Sequence, residues 1–410
     1  MTALPENRWD LLDGQVPAEP PAVSVVVVHY DQQAELDRTL HALARQDHPA
    51  DRTEIIVVDD GSPEPPRVPD GVQLVRQEDR GFRAAAARNR GAALATGDVL
   101  VLLDADTTPE PAYLREISRL PALAPDCVVV GRRRHADLAG VPADAPVEDA
   151  GPAHELTQPA WLRDAYRDTR DLLDVDDRSY RYLIGAVTAC SRSFFAATGG
   201  FDEGFDAYGG EDWEWTYRAW LAGAVLAHVP AAVAWHDGPD WSGRDDAASQ
   251  EKKNAETLRL VDLVPVPGSR GHGLPTAHAD VVVRAPAGSD ARRFVSVDSV
   301  LAGLRGAVAL PDDPGAAFDR VRVEVVLCRP LLARGTAVAD AVTRVADEGL
   351  GVLTLRDADG RSLVRVESRR AAAREARWGG TPLFPRVEAV TEDVVALDEE
   401  PDLERYLGGW

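Results

Sequence analysis

Apolar positions in the first hundred residues come as short unbroken runs separated by stretches with helical spacing. Val23-Ser24-Val25-Val26-Val27-Val28 is the first run. It is β-branched and nearly uninterrupted, as expected of a strand covered on both faces. Residues 31–45 follow with Leu36, Leu40 and Leu43 at helical intervals. The pattern then repeats: residues 54–59 predict a second buried strand, 72–76 a short third, 84–95 a helix and 99–104 a fourth strand. Strands and helices alternating at these lengths predict an α/β domain with a parallel sheet. Polar residues close three of the strands, as His29-Tyr30-Asp31, Asp59-Asp60-Gly61-Ser62 and Asp104-Ala105-Asp106. Open α/β sheets bind ligands beyond the carboxyl ends of their strands, so these three segments define the expected site.

The pattern loosens over residues 131–180, which carry Arg132-Arg133-Arg134, several Asp and Pro, and a weak helical stretch at 161–173. A mobile insertion beside the site is expected there. Order returns at 184–191, and Gly199-Gly200-Phe201-Asp202 opens a segment ending near His236, with helices predicted over 213–222 and 246–260. Residues 264–275 are rich in Pro, Gly and His and read as a linker. Beyond them the pattern restarts. Strands are predicted at 281–283, 321–327, 352–355 and 363–366, with helices at 337–346 and 369–377 and a hairpin turn at Asp357-Ala358-Asp359-Gly360. The expected division is a Pro- and acid-rich leader at 1–21, acting as a loose tail or a strap, a main domain at 22–263, a linker at 264–276, and a smaller α+β domain at 277–410.

At 410 residues the chain has room for two or three domains of about 150 residues each. Hydrophobic residues at 45% and charged residues at 28% are ordinary globular values, which argues against wholesale disorder. A formal net charge of -23 opposes broad contact with nucleic acid or an anionic membrane. A diphosphate pocket in such a chain must supply its own cation or local arginines. Cys127, Cys190 and Cys328 lie far apart without a C-x-x-C spacing, so neither a disulfide framework nor a zinc knuckle is expected, and a reducing cytoplasm fits. No apolar run approaches the ~18 residues of a membrane span, and stable membrane insertion is not expected.

Asp104-Ala105-Asp106 is the sharpest chemical signal. A run of Val99 to Leu103 leads into two carboxylates able to face a common point. Hard divalent cations such as Mg²⁺ or Mn²⁺ take oxygen ligands and bridge phosphate oxygens, so the pair suits a metal that offsets a leaving diphosphate's charge. The same triplet also occurs as a solvated turn. Asp59 and Asp60 can accept a hydrogen bond from a pyrimidine N–H, and they also read as a simple Asp-Gly turn. The helix opened by Gly81-Phe82-Arg83 and carrying Arg88-Asn89-Arg90 can bring a guanidinium, of Arg83 or Arg88, to a diphosphate; otherwise it is a solvated face. Gly209-Gly210-Glu211-Asp212-Trp213-Glu214-Trp215 sets two glycines before adjacent carboxylates and two tryptophans. Aromatic faces receive sugar rings and a carboxylate there can deprotonate an acceptor hydroxyl; the alternative is an acidic helix cap above core tryptophans. His236 follows the run 231–235 as a further candidate ligand.

Taken in order, Val25-Val26-Val27-Val28-His29-Tyr30, Val57-Val58-Asp59-Asp60-Gly61-Ser62, Ala87-Arg88-Asn89-Arg90-Gly91, Leu103-Asp104-Ala105-Asp106, Gly199-Gly200-Phe201-Asp202, Gly209-Gly210-Glu211-Asp212 and Trp235-His236 resemble the inverting glycosyltransferases of family two, of the chondroitin-polymerase and β-1,4-galactosyltransferase type. The resemblance covers roughly residues 22–240. It implies a GT-A fold, a mostly parallel Rossmann-like sheet that binds nucleotide-diphospho-sugars, and a UDP-sugar donor. It further implies donor contacts from Tyr30, Asp59, Asp60, Arg83, Arg88, Asp104 and Ala105, and Mn²⁺ or Mg²⁺ held by Asp104, Asp106 and His236. Asp212 becomes the catalytic base, and Tyr208, Glu211, Trp213 and Trp215 the acceptor side. Asp31 stands where the family often has an asparagine, and the two tryptophans enlarge the acceptor side. Residues after 264 resemble no named domain and carry no second transferase unit, so one sugar addition is expected. The accessory domain is assigned acceptor recruitment or homodimerisation. Two other classes are weighed: a nucleotidyltransferase, which needs a Gly-rich basic loop where His29-Tyr30-Asp31-Gln32-Gln33 stands, and a non-catalytic sugar-nucleotide-binding protein.

Overall fold

The computed structural model describes residues 1–206, 209–239 and 247–409. Two compact units are resolved, one built from residues 1–175, 179–220 and 224–259, the other from 260–410 with the short segments 176–178 and 221–223. In the first unit β1 (Val23–His29) leads to α1 (Gln33–Leu43), then β2 (Thr53–Asp59), β3 (Gln73–Arg76), α2 (Ala84–Leu94), β4 (Val99–Asp104), β5 (Thr107–Pro109) and α3 (Tyr113–Leu123). There follow β6 (Cys127–Ala136), α4 (Val147–Ala153), α5 (Ala160–Asp168), β7 (Val187–Ser191), α6 (Arg192–Ala197), α7 (Glu211–Leu221), β8 (Val225–Asp237) and α8 (Ala247–Leu263).

The eight strands form one sheet in the order β3-β2-β1-β4-β7-β6-β8-β5. Pairings β1–β2, β1–β4, β2–β3 and β6–β8 are parallel, whereas β7 runs antiparallel between β4 and β6, and β5 antiparallel to β8. The register is what builds the site: His29 pairs with Asp59 and Val28 with Asp104, so the carboxyl ends of β1, β2 and β4 finish side by side. Gly91 lets α2 sit directly on β1, because a Cβ there would meet Val26 Cγ1 at 2.3 Å.

The sequence expectations for residues 131–180 need correction. Residues 127–136 are one long strand, β6, whose start is buried between β7 and β8, and α4 and α5 follow it. Past Val130 the strand keeps β8 as its partner through Ala136, and that pairing orders residues whose Arg content made them look mobile. The first 21 residues act as a strap: Leu4 and Leu12 are buried, and Asn7 Nδ2 donates to the carbonyls of Leu172 and Leu226 at 2.6 and 2.9 Å.

In the second unit a six-stranded sheet joins β9 (Val281–Arg284), β10 (Val308–Ala309), β11 (Val323–Leu327), β13 (Val352–Arg356), β14 (Ser362–Ser368) and β15 (Arg386–Val390), while β12 (Leu331–Ala333) pairs with β16 (Val394–Ala396). Helices α9 (Asp290–Gly303) and α10 (Ala337–Asp347) close a core of Val283, Val325, Leu353 and Val366; α11 (Arg369–Arg377) and α12 (Leu403–Tyr406) complete the unit. The turn at 357–360 joins antiparallel β13 and β14, with Gly360 N–H donating to the Asp357 carbonyl at 3.0 Å.

Candidate active site

A cavity of about 420 Å³ opens at the strand ends of the first unit. It is lined by Tyr30, Gln32, Asp60, Phe82, Arg88, Asp104, Asp106, Arg133 and His236, among others. Its acidic wall is made by backbone register. Thr107 of β5 pairs with His236 of β8, which brings the preceding Asp106 within 3.5 Å of His236 Nε2. Burial raises the pKa of Asp106; the nearby histidine opposes the rise and Asp104 adds to it.

Arg88 joins two motifs that lie far apart in the chain. It is 4% exposed, and its guanidinium donates to Asp104 Oδ1 at 2.9 Å and to Glu211 Oε1 at 2.6 Å. Burial alone would lower the arginine's pKa, but the two carboxylates hold it above its ordinary value. Beside Glu211, Asp212 accepts from Gly185 N–H at 3.0 Å and from Trp213 N–H at 2.8 Å. Burial, reinforced by Glu211, pushes the Asp212 carboxyl up to about 6. The inward face of α8 adds Glu256, whose carboxylate lies against Gly209: a Cβ there would be 2.8 Å from it. Burial, then Asp212 and Glu211, raise Glu256 to about 7.

Several expected roles move. Asp59 is buried, in contact with His29 at 3.0 Å, with Arg76 at 3.0 Å and with Ser62, so it fastens strand ends and has no face left for a base. Asp60 does line the cavity; it accepts from Gln77 Nε2 at 2.5 Å and Arg83 N–H at 2.8 Å. The Arg83 side chain lines a neighbouring surface cavity with Arg80 and Arg90 instead. Ala105 is buried and both its backbone groups are used internally, N–H to Val28 and carbonyl to Thr39, which removes it from the donor contacts. Trp215 is 1% exposed, donates to Thr198 Oγ1 at 3.0 Å and packs on Phe195 and Phe201: it is core, with no face for a sugar. Glu211 is buried and committed through one oxygen to Arg88. Trp213 is half-buried, edge-on to Tyr180. Tyr208 lies outside the described residues. Sequence reasoning assigned no role to Gln32, Phe82, Arg133 or Glu256; the first three stood in segments it singled out, the strand end after His29, the Gly81-Phe82-Arg83 opening and the arginine run, and Glu256 had no signal.

Among the described residues no three His, Cys, Asp or Glu side chains converge as a metal site. The Asp104, Asp106, His236 set is therefore not assembled as expected, because Asp104 Oδ1 is turned to Arg88. Asp106 and His236 do fit a divalent cation. His236 Nδ1 lies 3.3 Å from the Gly238 carbonyl, the kind of contact that directs the lone pair of Nε2 towards a metal. One carboxylate and one imidazole leave coordination positions for water and phosphate oxygens, as Mg²⁺ and Mn²⁺ require.

Residues 24–143 match the family described as Glycosyl transferase family 2, and residues 174–234 match the N-terminal domain of galactosyltransferase. These spans hold Arg88, Asp104, Asp106, Glu211 and Asp212. A glycosyltransferase family 2 match thus lies over residues 24–143, on a mixed α/β sheet. It is 26% identical over 287 residues to the chondroitin synthase of Pasteurella multocida (strain Pm70), covering 62% of this chain and 29% of that protein. It is 33% identical over 217 residues to the validoxylamine A glucosyltransferase of Streptomyces hygroscopicus subsp. limoneus, covering 48% of each. The chain thus spans less than half the length of either relative. A solved structure of GalNAc-T7 with UDP, GalNAc and Mn²⁺ overlays with a TM-score of 0.44 at 19% identity, over 61% of this chain and 49% of that one. No described helix is long and apolar enough to cross a membrane.

Proposed function

We propose that the chain transfers a sugar from a UDP-sugar to an acceptor hydroxyl with inversion, in the presence of Mn²⁺ or Mg²⁺. One observation carries the reading: Arg88 bonds both Asp104 and Glu211, which supports taking the strand-end carboxylates and the Glu211-Asp212 pair as one site. Similarity to a chondroitin synthase and a glucosyltransferase supports the reaction class. Asp60 at the cavity wall is an acceptor for the imide N–H of uracil, and Tyr30 and Phe82, both exposed at the cavity, offer faces to the base.

A divalent cation bound by Asp106 and His236 would neutralise charge on the diphosphate as it departs. Asp212, oriented by two backbone N–H groups and raised towards neutrality, takes the acceptor hydroxyl's proton. The acceptor oxygen then forms the bond to the anomeric carbon while the opposite C–O bond breaks, its electron pair leaving on the diphosphate. Arg88 holds Asp104 and Glu211 in place throughout. Turnover of a panel of nucleotide sugars, with and without Mn²⁺, tests the proposal. Release of UDP that needs metal and is lost in Asp212→Asn is expected; undiminished turnover in that variant would reject the base assignment.

A further inference from the structure

A second cavity, of about 310 Å³, opens in the same unit. Its wall takes Arg132, Arg133 and Arg134 from β6, Arg163 and Arg167 from α5, and His228 from β8. Five arginines around so small a space are out of keeping with a chain that has 68 acidic and 45 basic residues. They are not all committed elsewhere. Arg134 is held, by Glu155 at 2.6 Å and over the Trp235 ring at 4.2 Å. Arg163 and Arg167 meet Asp164 and Asp168 only along the exposed surface of α5, where such pairs exchange readily. Arg132 pairs through its backbone with β8, but its side chain is exposed and its guanidinium has no hydrogen bond or ion pair among the described residues.

His228 supplies an independent observation. It is 5% exposed, and its ring stacks on Tyr166 at 3.7 Å with 4° between the planes. Asp171 grips it twice, accepting from Nδ1 at 2.7 Å and, through its carbonyl, from the His228 N–H at 3.0 Å. With Nδ1–H given to Asp171, Nε2 is left as an acceptor, and this buried atom has no partner. Burial lowers the His228 pKa, which keeps the ring neutral and Nε2 able to accept.

The position of the cavity says what it serves. Arg133 lines both this cavity and the one holding Asp104, Asp106 and His236. On another side the wall is Ile184, whose neighbour Gly185 donates its N–H to Asp212. We propose that this cavity is the acceptor subsite, taking a sugar that bears an oxyanion, with the anionic group held by Arg132, Arg163 and Arg167 and a hydroxyl donating to His228 Nε2. Calling the ligand an acceptor rests on the transferase reading above; the anionic sugar site itself does not. A volume of this order is at the small end of ligand cavities, roughly 300–1,000 Å³, and suits one ring with its charged substituent.

Calorimetric titration of the full chain tests it, using methyl glucuronide, glucose 6-phosphate and neutral methyl glucoside, with UDP and Mn²⁺ titrated in parallel. At least one anionic sugar should bind roughly tenfold tighter than the neutral one, weakening with salt, and the carboxylate and phosphate arms identify which oxyanion is preferred. The double variant Arg132→Gln, Arg163→Gln should lose the preference. His228→Asn retains a donor for Asp171 but lacks Nε2, and should weaken the sugar while leaving inorganic phosphate bound as before. Equal affinity for neutral and anionic sugars, or a preference that survives the double variant, overturns the subsite. Absence of UDP binding with the anion preference intact would instead count against the transferase reading alone.

Discussion

Arg88 and Asp104 are joined by a 2.9 Å hydrogen bond from a guanidinium that is almost wholly buried. Since the other end of the same guanidinium holds Glu211, the bond ties the end of β4 to the start of α7.

Replacing Arg88 removes the cation that Asp104 and Glu211 share. Arg88→Ala should cost about 3–5 kcal/mol of stability, because buried charges lose their partner, and should abolish turnover. Arg88→Lys should recover part of the stability but little activity, since one ammonium cannot span both acceptors. Denaturant melts beside turnover assays check this; a variant melting like the parent protein would show that the bridge is dispensable.

Metal dependence should track Asp106 and His236. Asp106→Asn and His236→Ala are expected to weaken Mn²⁺-dependent UDP binding by tenfold or more while the fold persists, as both side chains are only partly buried. Chelation of the parent protein should mimic them. Thermal shift with UDP, with and without Mn²⁺, gives the answer, and identical shifts in parent and variants would remove these residues from the metal site.

The raised carboxyls make activity and stability run in opposite directions with pH. Asp212 at about 6 and Glu256 at about 7 are protonated in the folded chain at pH values where the unfolded chain has lost those protons. The folded state then binds more protons, so the contribution of these groups to stability falls as pH rises from about 4 through 7. Turnover should rise over the upper part of that window as Asp212 becomes a free base. Glu256→Gln takes away a like charge and should move the acid limb of the rate profile down by about half a pH unit, with higher melting temperature at pH 8. An acid limb that stays put in this variant would uncouple Glu256 from the base.

Trp215 tests the division between core and acceptor surface. Trp215→Ala should cost about 3–5 kcal/mol through the cavity left among Phe195 and Phe201. A loss confined to acceptor KM, with an unchanged melting curve, would return Trp215 to the binding surface.

Much of the sheet was legible beforehand. The runs at 23–28, 54–59 and 99–104 are apolar on both faces, and such runs have few alternatives to a buried strand. Carboxylates closing those runs marked the site for the same reason: a charged pair after an unbroken apolar strand must emerge at its end. Whether Asp59 or Asp60 faced the cavity could not be read, since alternate strand residues point to opposite faces and the choice depends on His29, Ser62 and Arg76.

Local pattern along the chain decided which segments became strands and helices and where charge had to surface, because those depend on neighbours a few residues away. Strand order, the antiparallel insertion of β7, the pairing of Thr107 with His236 and the burial of Arg88 between Asp104 and Glu211 were decided only by the folded chain. Each depends on partners brought together across long separations, 16 residues in one Arg88 bond and 123 in the other, and no short window of residues contains both sides of such a contact.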